Sequence, residues 1–271
     1  MKQAPSWRIG ALVPAADLPE LAREGYDFAE LPCDELRADV NDQRFARLRK
    51  RLASIGLPVD VCSRFLPRDF KLVGPDVGWS RFTESVDTEL ARAAQLGAEL
   101  VVWANGPART VPVGFPMERA FEQMVTAGRY VAKAARTHGL TVVFEALNPS
   151  SSNLILSLGE ALRLVNAIGE PEVMAVADVY HMARNGEPLA SITQLGQALR
   201  YVHVCDHDRR PPGTHPADAP HYAELGGVLG AMGYTGRISI EATWDDVAAE
   251  AGPALAALRR QLARQPAEND G

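Results

Sequence analysis

Cysteine is scarce in this chain: Cys33, Cys62 and Cys205 are an odd number with no close pair. That argues against a disulfide framework and favours a reducing cytoplasm. Long apolar runs are missing too. No stretch reaches the roughly 18 residues that signal a membrane helix, and MKQAPSWRIG has no signal-peptide core. Neither a membrane nor a secretory route is expected. Positive charge is in deficit, with 28 basic residues against 34 acidic ones and a net charge of −6. Such a balance offers no footprint for a nucleic-acid backbone or an anionic membrane. Glycine-rich phosphate cradles, low-complexity tracts and sequence repeats are also absent.

What remains is an ordinary globular composition, 46% hydrophobic and 23% charged. A length of 271 residues is long for one common domain but suits a (β/α)8 barrel of about 250 residues. Eight strand-like runs follow one another: RIGALV, YDFAELP, PVDVCSRF, ELVVWANG, TVVFEALN, VMAVADVYH, YVHVCDHD and RISIEATW. Each is followed by a helical stretch, among them DQRFARLRKRLASIG, MERAFEQMVTAGRYVAKAARTHG, LASITQLGQALRY and VAAEAGPALAALRRQLARQ. Several helices are expected to stop at glycines, including Gly56, Gly97 and Gly139. Alternation of this kind argues for a parallel sheet covered by helices. The prediction is one α/β domain, a single (β/α)8 barrel over 1–271 with an ordered core of about 7–262. The tail PAENDG is expected to fray. Loops 66–80, 105–117 and 206–220 are the longest and richest in proline and glycine. All follow strands, which places them on the C-terminal face of a barrel, where such folds hold their sites.

Four ionisable residues close apolar runs in the second half: Glu145, Asp178, His203 and Glu241, spaced 33, 25 and 38 residues apart. Those gaps are about one strand-plus-helix unit, so the four converge on one mouth of a closed barrel. Side chains alternate along a strand. If Glu145 and Glu241 point inward, Val142, Phe144, Ile238 and Ile240 point outward to the helices. Three carboxylates and an imidazole aimed at one spot repel one another unless a cation lies between them. An O,O,O,N set suits Mn2+, Mg2+, Co2+ or Zn2+ and leaves coordination positions for adjacent carbonyl and hydroxyl oxygens of a substrate. The cation would stabilise charge growing on oxygen as a neighbouring C–H proton leaves, and Glu145 and Glu241 are the candidate bases.

The segments FEALN, DVYH, HVCDHDR and SIEA resemble the sugar isomerase/epimerase superfamily of xylose-isomerase-like TIM barrels. That group includes ketose 3-epimerases, inosose isomerases and dehydratases, hydroxypyruvate isomerase and 3-dehydroshikimate dehydratase. Its pattern is Glu at strand five, Asp-x-x-His at strand six, His with an Arg six residues on at strand seven, and Glu at strand eight. Glu145, Asp178 with His181, His203 with Arg209, and Glu241 fill every position. The second strand, GYDFAELP, is similar to the family's Gly-aromatic-Asp…Glu-Leu pattern. The resemblance implies Mn2+ or a similar ion on the four residues and proton exchange by the two glutamates at opposite faces of a carbon. It further implies that His181 and Arg209 hold substrate oxygens. Trp103 is a candidate wall residue of the substrate site, as is Tyr180, although core packing explains Trp103 equally well.

The expected function is isomerisation or epimerisation of a sugar, cyclitol or small hydroxy-keto compound through an enediolate stabilised by the cation. A lyase of the same superfamily is the alternative: it dehydrates a keto-cyclitol or cleaves a 3-keto-glycoside, with His181 or a loop histidine as acid. An endonuclease IV-like activity would need more histidines than six and fits poorly with a charge of −6. A non-catalytic barrel is the remaining option. Other readings of single residues stay open. His181 could support Asp178 rather than meet substrate, and Arg209 with Arg210 could be a solvated loop or an anion site. The tract His203-Val-Cys205-Asp-His207 invites a zinc reading but lacks a second ligand pair. Lacking a phosphate cradle, the site leans to an unphosphorylated substrate. Barrels of this family often pair, so a homo-oligomer is possible.

Overall fold

The computed structural model describes residues 7–263; the expected frayed tail PAENDG lies outside them. Eight parallel strands close on themselves in sequence order. They are β1 (Arg8–Leu12), β2 (Phe28–Pro32), β3 (Val59–Ser63), β4 (Leu100–Trp103), β5 (Thr141–Glu145), β6 (Val173–Asp178), β7 (Leu199–Val204) and β8 (Arg237–Ile240). The helices are α1 (Leu18–Glu24), α2 (Asp42–Ile55), α3 (Trp79–Leu96), α4 (Met117–His138), α5 (Leu158–Ile168), α6 (Val179–Arg184), α7 (Ala219–Ala231) and α8 (Val247–Leu262). This is the predicted (β/α)8 barrel, and α2 and α4 stop at Gly56 and Gly139 in the left-handed conformation as expected.

The sixth unit departs from expectation. LASITQLGQALRY is no α-helix: residues Leu189–Ala198 form 3-10 turns broken at Gly196, with φ 49° and ψ −123°. Gly196 and the β-branched Ile192 and Thr193 disfavour a regular helix. The helix of this unit is instead α6, which starts directly at the end of β6 because Asp178 caps it.

Burial separates two layers. A small apolar cluster of Phe28, Val61, Leu100, Val102, Val143, Val176 and Tyr201 fills the inside of the barrel. Val142, Phe144, Ile238 and Ile240 belong to the larger layer between strands and helices, as alternation required. Gly10 on β1 makes room for this interior: a Cβ there would sit 2.3 Å from the Phe28 ring. At the N-terminal end, Asp60 receives Arg8 at 2.6 Å and Arg237 at 2.7 Å. Polar side chains are left for the opposite mouth.

Register aims the site. Asp178 pairs directly with His203; Glu145 pairs with Val176, and His203 with Ser239. Each offset is an even number of residues, so Glu145, Asp178, His203 and Glu241 share the inward face.

Candidate metal centre and its mouth

Glu145, Asp178, His203 and Glu241 each offer a ligand atom, and all four atoms lie within 4.8 Å of one another. Among the described residues this is the only such convergence of three or more acidic, histidine or cysteine side chains. The central distances are tight: His203 Nδ1 is 3.3 Å from Glu241 Oε2, 3.8 Å from Glu145 Oε1 and 4.0 Å from Asp178 Oδ2. Glu145 Oε1, Asp178 Oδ2 and His203 Nδ1 are buried without a hydrogen-bond partner. Orphaned polar atoms of this kind are costly unless something else satisfies them. Ligands placed about 2.0–2.4 Å from a hard divalent ion lie at most about 4.0–4.8 Å apart, so the donor set fits such an ion in both chemistry and span.

Surrounding groups hold these side chains. Asp178 uses Oδ1 to accept the backbone N–H of Tyr180 at 2.7 Å and of His181 at 3.2 Å, capping α6, and leaves Oδ2 facing the centre. One oxygen of Asp178 thus caps the helix while the other stays free for the centre. His203 Nε2 lies 3.0 Å from Glu30 Oε1, and the Tyr201 hydroxyl donates to Glu30 Oε2 at 2.7 Å. With Nε2–H donated to Glu30, Nδ1 is the nitrogen that faces the centre, and it offers a lone pair there whenever the ring is neutral. Arg109, fully enclosed, donates from Nη2 to the Glu145 carbonyl at 2.6 Å and stacks 4.5 Å from the Phe144 ring.

The electrostatics follow from burial and like charge. Burial and nearby Glu145 raise the Asp178 pKa, and burial and Asp178 push Glu241 up to about 7. Burial works against a charge on His203, but Glu30 and Glu241 outweigh it and raise its pKa well above the usual value. Burial would raise Glu30, yet His203 beside it brings it below the ordinary carboxylate range. Arg109 is pulled down to about 9 by burial, opposed by Glu145.

His181 lies 3.8 Å from Glu145 Oε1 and 3.9 Å from Asp178 Oδ2 through Nε2, and it lines the cavity. Its Nδ1 accepts the Asn148 backbone N–H at 3.0 Å, so in the neutral ring Nε2 carries the proton and points at the site. Burial lowers its pKa and favours that neutral form. Arg209 donates to Glu241 Oε2 at 3.1 Å and lies over the Tyr180 ring at 4.6 Å. It sits at φ 64°, pinned by a 2.6 Å hydrogen bond from Thr243 N to its carbonyl. Arg210 turns away, to Asp245 and Glu250.

Trp103 is elsewhere. It is 1% exposed, packed between Phe65 and Phe144 at centroid distances of 6.1 and 5.4 Å, and does not line the cavity. As the last residue of β4 it falls on the outward side of alternation, which explains the placement. Cys205 and His207 do not join His203: Cys205 is buried, and His207 pairs with Asp218 at 2.9 Å. All three cysteines are free and buried. No helix among the described residues is long and apolar enough to cross a membrane.

Sequence reasoning missed several contributors. Glu30 was visible only as part of a strand pattern, with its partner 173 positions away. Asn148 and the serines behind it belong to a fourth long connection, residues 146–157, marked in the sequence by the polar run NPSSSN. For Arg109 no sequence signal exists.

A closed parallel barrel with an acidic-plus-histidine centre at its C-terminal mouth defines the class. The chain belongs to the xylose isomerase-like TIM barrel family, whose model matches residues 18–264. It is 25% identical over 226 residues to the L-ribulose 3-epimerase of Mesorhizobium japonicum, covering 83% of this chain and 75% of that protein. Among solved structures, D-psicose 3-epimerase with D-tagatose from Clostridium cellulolyticum H10 superimposes with a TM-score of 0.81. That match is 20% identical and covers 94% of this chain and 99% of the other. The apo 3-keto-D-glucoside 4-epimerase of E. coli gives a TM-score of 0.78 at 21% identity, covering 94% and 100%.

Proposed function

We propose that this chain is a divalent-metal-dependent isomerase or epimerase of a sugar, cyclitol or small hydroxy-keto compound. One observation carries the reading: Glu145 at the end of β5 and Glu241 just after β8, three strands apart around the barrel, both bring a carboxylate oxygen to His203 Nδ1, at 3.8 and 3.3 Å. Epimerisation needs an acid–base group on each face of one carbon, and this pair supplies it. Glu145, Asp178, His203 and Glu241 hold the cation, Mn2+ by family likeness, with Mg2+, Co2+ and Zn2+ compatible with the same donors. When bound, the cation supplies Lewis acidity that stabilises negative charge on the substrate carbonyl oxygen.

The chain's own groups do the rest. One glutamate removes the proton beside the carbonyl, and the other delivers a proton to the opposite face, inverting the centre. Return to the neighbouring carbon by the same group gives the isomer instead. His181 donates its Nε2 proton to a substrate oxygen, and Arg209 holds a second oxygen while orienting Glu241. The 3-epimerase activity named for the Mesorhizobium relative supports the same assignment.

A lyase would begin with the same proton abstraction, and His181, with its proton on Nε2, is placed to protonate a leaving oxygen. Solvent-deuterium wash-in over ketoses, inososes and 3-keto-glycosides, with Mn2+ and with EDTA, tests both. Expected is cation-dependent exchange at a carbon next to a carbonyl, lost in Glu145→Gln and Glu241→Gln. Release of an enone or aglycone would assign the lyase, and exchange that survives chelation would refute the metal-dependent reading.

A further inference from the structure

Above the four ligands the mouth opens into a cavity of about 490 Å³, and four arginines line it: Arg37, Arg64, Arg68 and Arg209. Two are already committed. Arg37 pairs with Asp34 at 2.5 Å, and Arg209 with Glu241. Arg64 and Arg68 are exposed at the rim, and among the described residues neither takes part in an ion pair or a side-chain hydrogen bond.

Charge counting makes the excess plain. On the reading above, the three carboxylate ligands and Glu30 are balanced by a divalent cation, Arg109 and Arg209, and Arg37 cancels Asp34. Two positive charges remain over the substrate space of a protein whose net charge is −6. Unpaired cations concentrated in a cleft attract and hold an anion.

The backbone is also bent to present them. Arg64, Leu66, Ile155 and Arg209 are the non-glycine residues with left-handed φ among the described residues, and all but Ile155 line this cavity. Such conformations are unfavourable for residues with a Cβ and persist where the surroundings enforce them. Here two buried side chains do so. Glu89 accepts the Leu66 N–H at 3.0 Å, and Asn105 donates to the carbonyls of Leu66 and Pro67 at 3.1 and 2.6 Å. The turn between Arg64 and Arg68 is thus held in place before any ligand arrives. A solvated arginine would need no such scaffold.

We propose that Arg64 and Arg68 form a receptor for a terminal oxyanion, so that the substrate is an anionic ketose or keto acid. Its carbonyl end lies at the four ligands and its carboxylate or phosphate at the rim. The inference rests on the isomerase/epimerase reading and narrows its substrate class. Guanidinium groups bind either oxyanion by charge-assisted hydrogen bonds, so the missing glycine-rich loop does not leave the mouth without an anion site.

The test compares three probes of like skeleton on metal-replete protein: a neutral ketopentose, a ketopentose 5-phosphate and a keto-aldonate. Affinity is read by titration calorimetry and turnover by deuterium wash-in. An anionic probe is expected to bind at least about tenfold more tightly than the neutral one, since one lost charge-assisted contact is worth about that factor. Which anion wins distinguishes phosphate from carboxylate. In Arg64→Gln/Arg68→Gln the anionic-to-neutral affinity ratio should fall toward one, with raised KM for the anion and loss of its salt sensitivity. Equal affinity for all three probes, or a preference unchanged in the double variant, overturns the receptor. Arginine-dependent anion binding without exchange on any probe would uphold the receptor and refute the isomerase/epimerase reading.

Discussion

Glu30, on β2, places its carboxylate 3.0 Å from Nε2 of His203, on β7, and both side chains are fully enclosed. The contact crosses the inside of the barrel and determines which imidazole nitrogen faces the four-residue centre. Without it, nothing else among the described residues receives the Nε2 proton of His203.

Glu30→Gln keeps an acceptor of the same shape and removes the charge. Loss of such a carboxylate behind a ligating histidine is expected to weaken Mn2+ binding by about 10–100-fold. Calorimetric titration of the variant, with circular dichroism to verify the fold, checks this. Unchanged affinity in a folded variant would remove Glu30 from the account.

Cation affinity should depend on pH through Glu241. Its pKa of about 7 means that below neutrality a proton occupies the oxygen the cation needs. Binding releases that proton and the one that His203, its pKa raised well above the usual value, carries on Nδ1, so affinity should climb with pH throughout, most steeply, by about tenfold or more per pH unit, below about 7. Competition titrations between pH 5.5 and 8.5 measure the slope; a flat profile would contradict the assignment.

Glu89 gives a stability signature away from the centre. Buried on α3, it accepts from Leu66 N, and burial pushes its pKa to about 8. A raised folded pKa means that the fold prefers the protonated form. That stabilisation is fully present below the unfolded value near 4.5 and is lost as pH rises through about 8. Thermal melts should show the wild type losing stability between about pH 4.5 and 8, and no further above that, relative to Glu89→Gln, which keeps the acceptor and cannot ionise. Parallel curves for the two proteins would exclude this role.

The sequence disclosed most where physics is repetitive. Strand alternation and the spacing of Glu145, Asp178, His203 and Glu241 make the barrel and its inward face legible, because both follow from a period of one strand and one helix. It disclosed least where contacts join distant positions. Glu30 meets His203 only once the sheet has closed. Asn148 sets the tautomer of His181 from a loop with no periodic signal. Trp103 reads equally as wall or core because a short apolar run such as LVVW does not itself show which face its last residue takes; the pairing with Phe144 puts it on the outward one. The sixth unit misled because its apolar content resembles a helix, whereas Gly196 breaks it into short turns.

The most direct measurement is Mn2+ titration into chelator-stripped protein, followed by electron paramagnetic resonance. The geometry predicts one tightly bound ion per chain, with a nitrogen coupling from a single imidazole. That coupling should vanish in His203→Gln, and binding should weaken sharply in Asp178→Asn. An absence of tight binding, or a signal indifferent to both substitutions in folded protein, would show that these side chains do not share a cation.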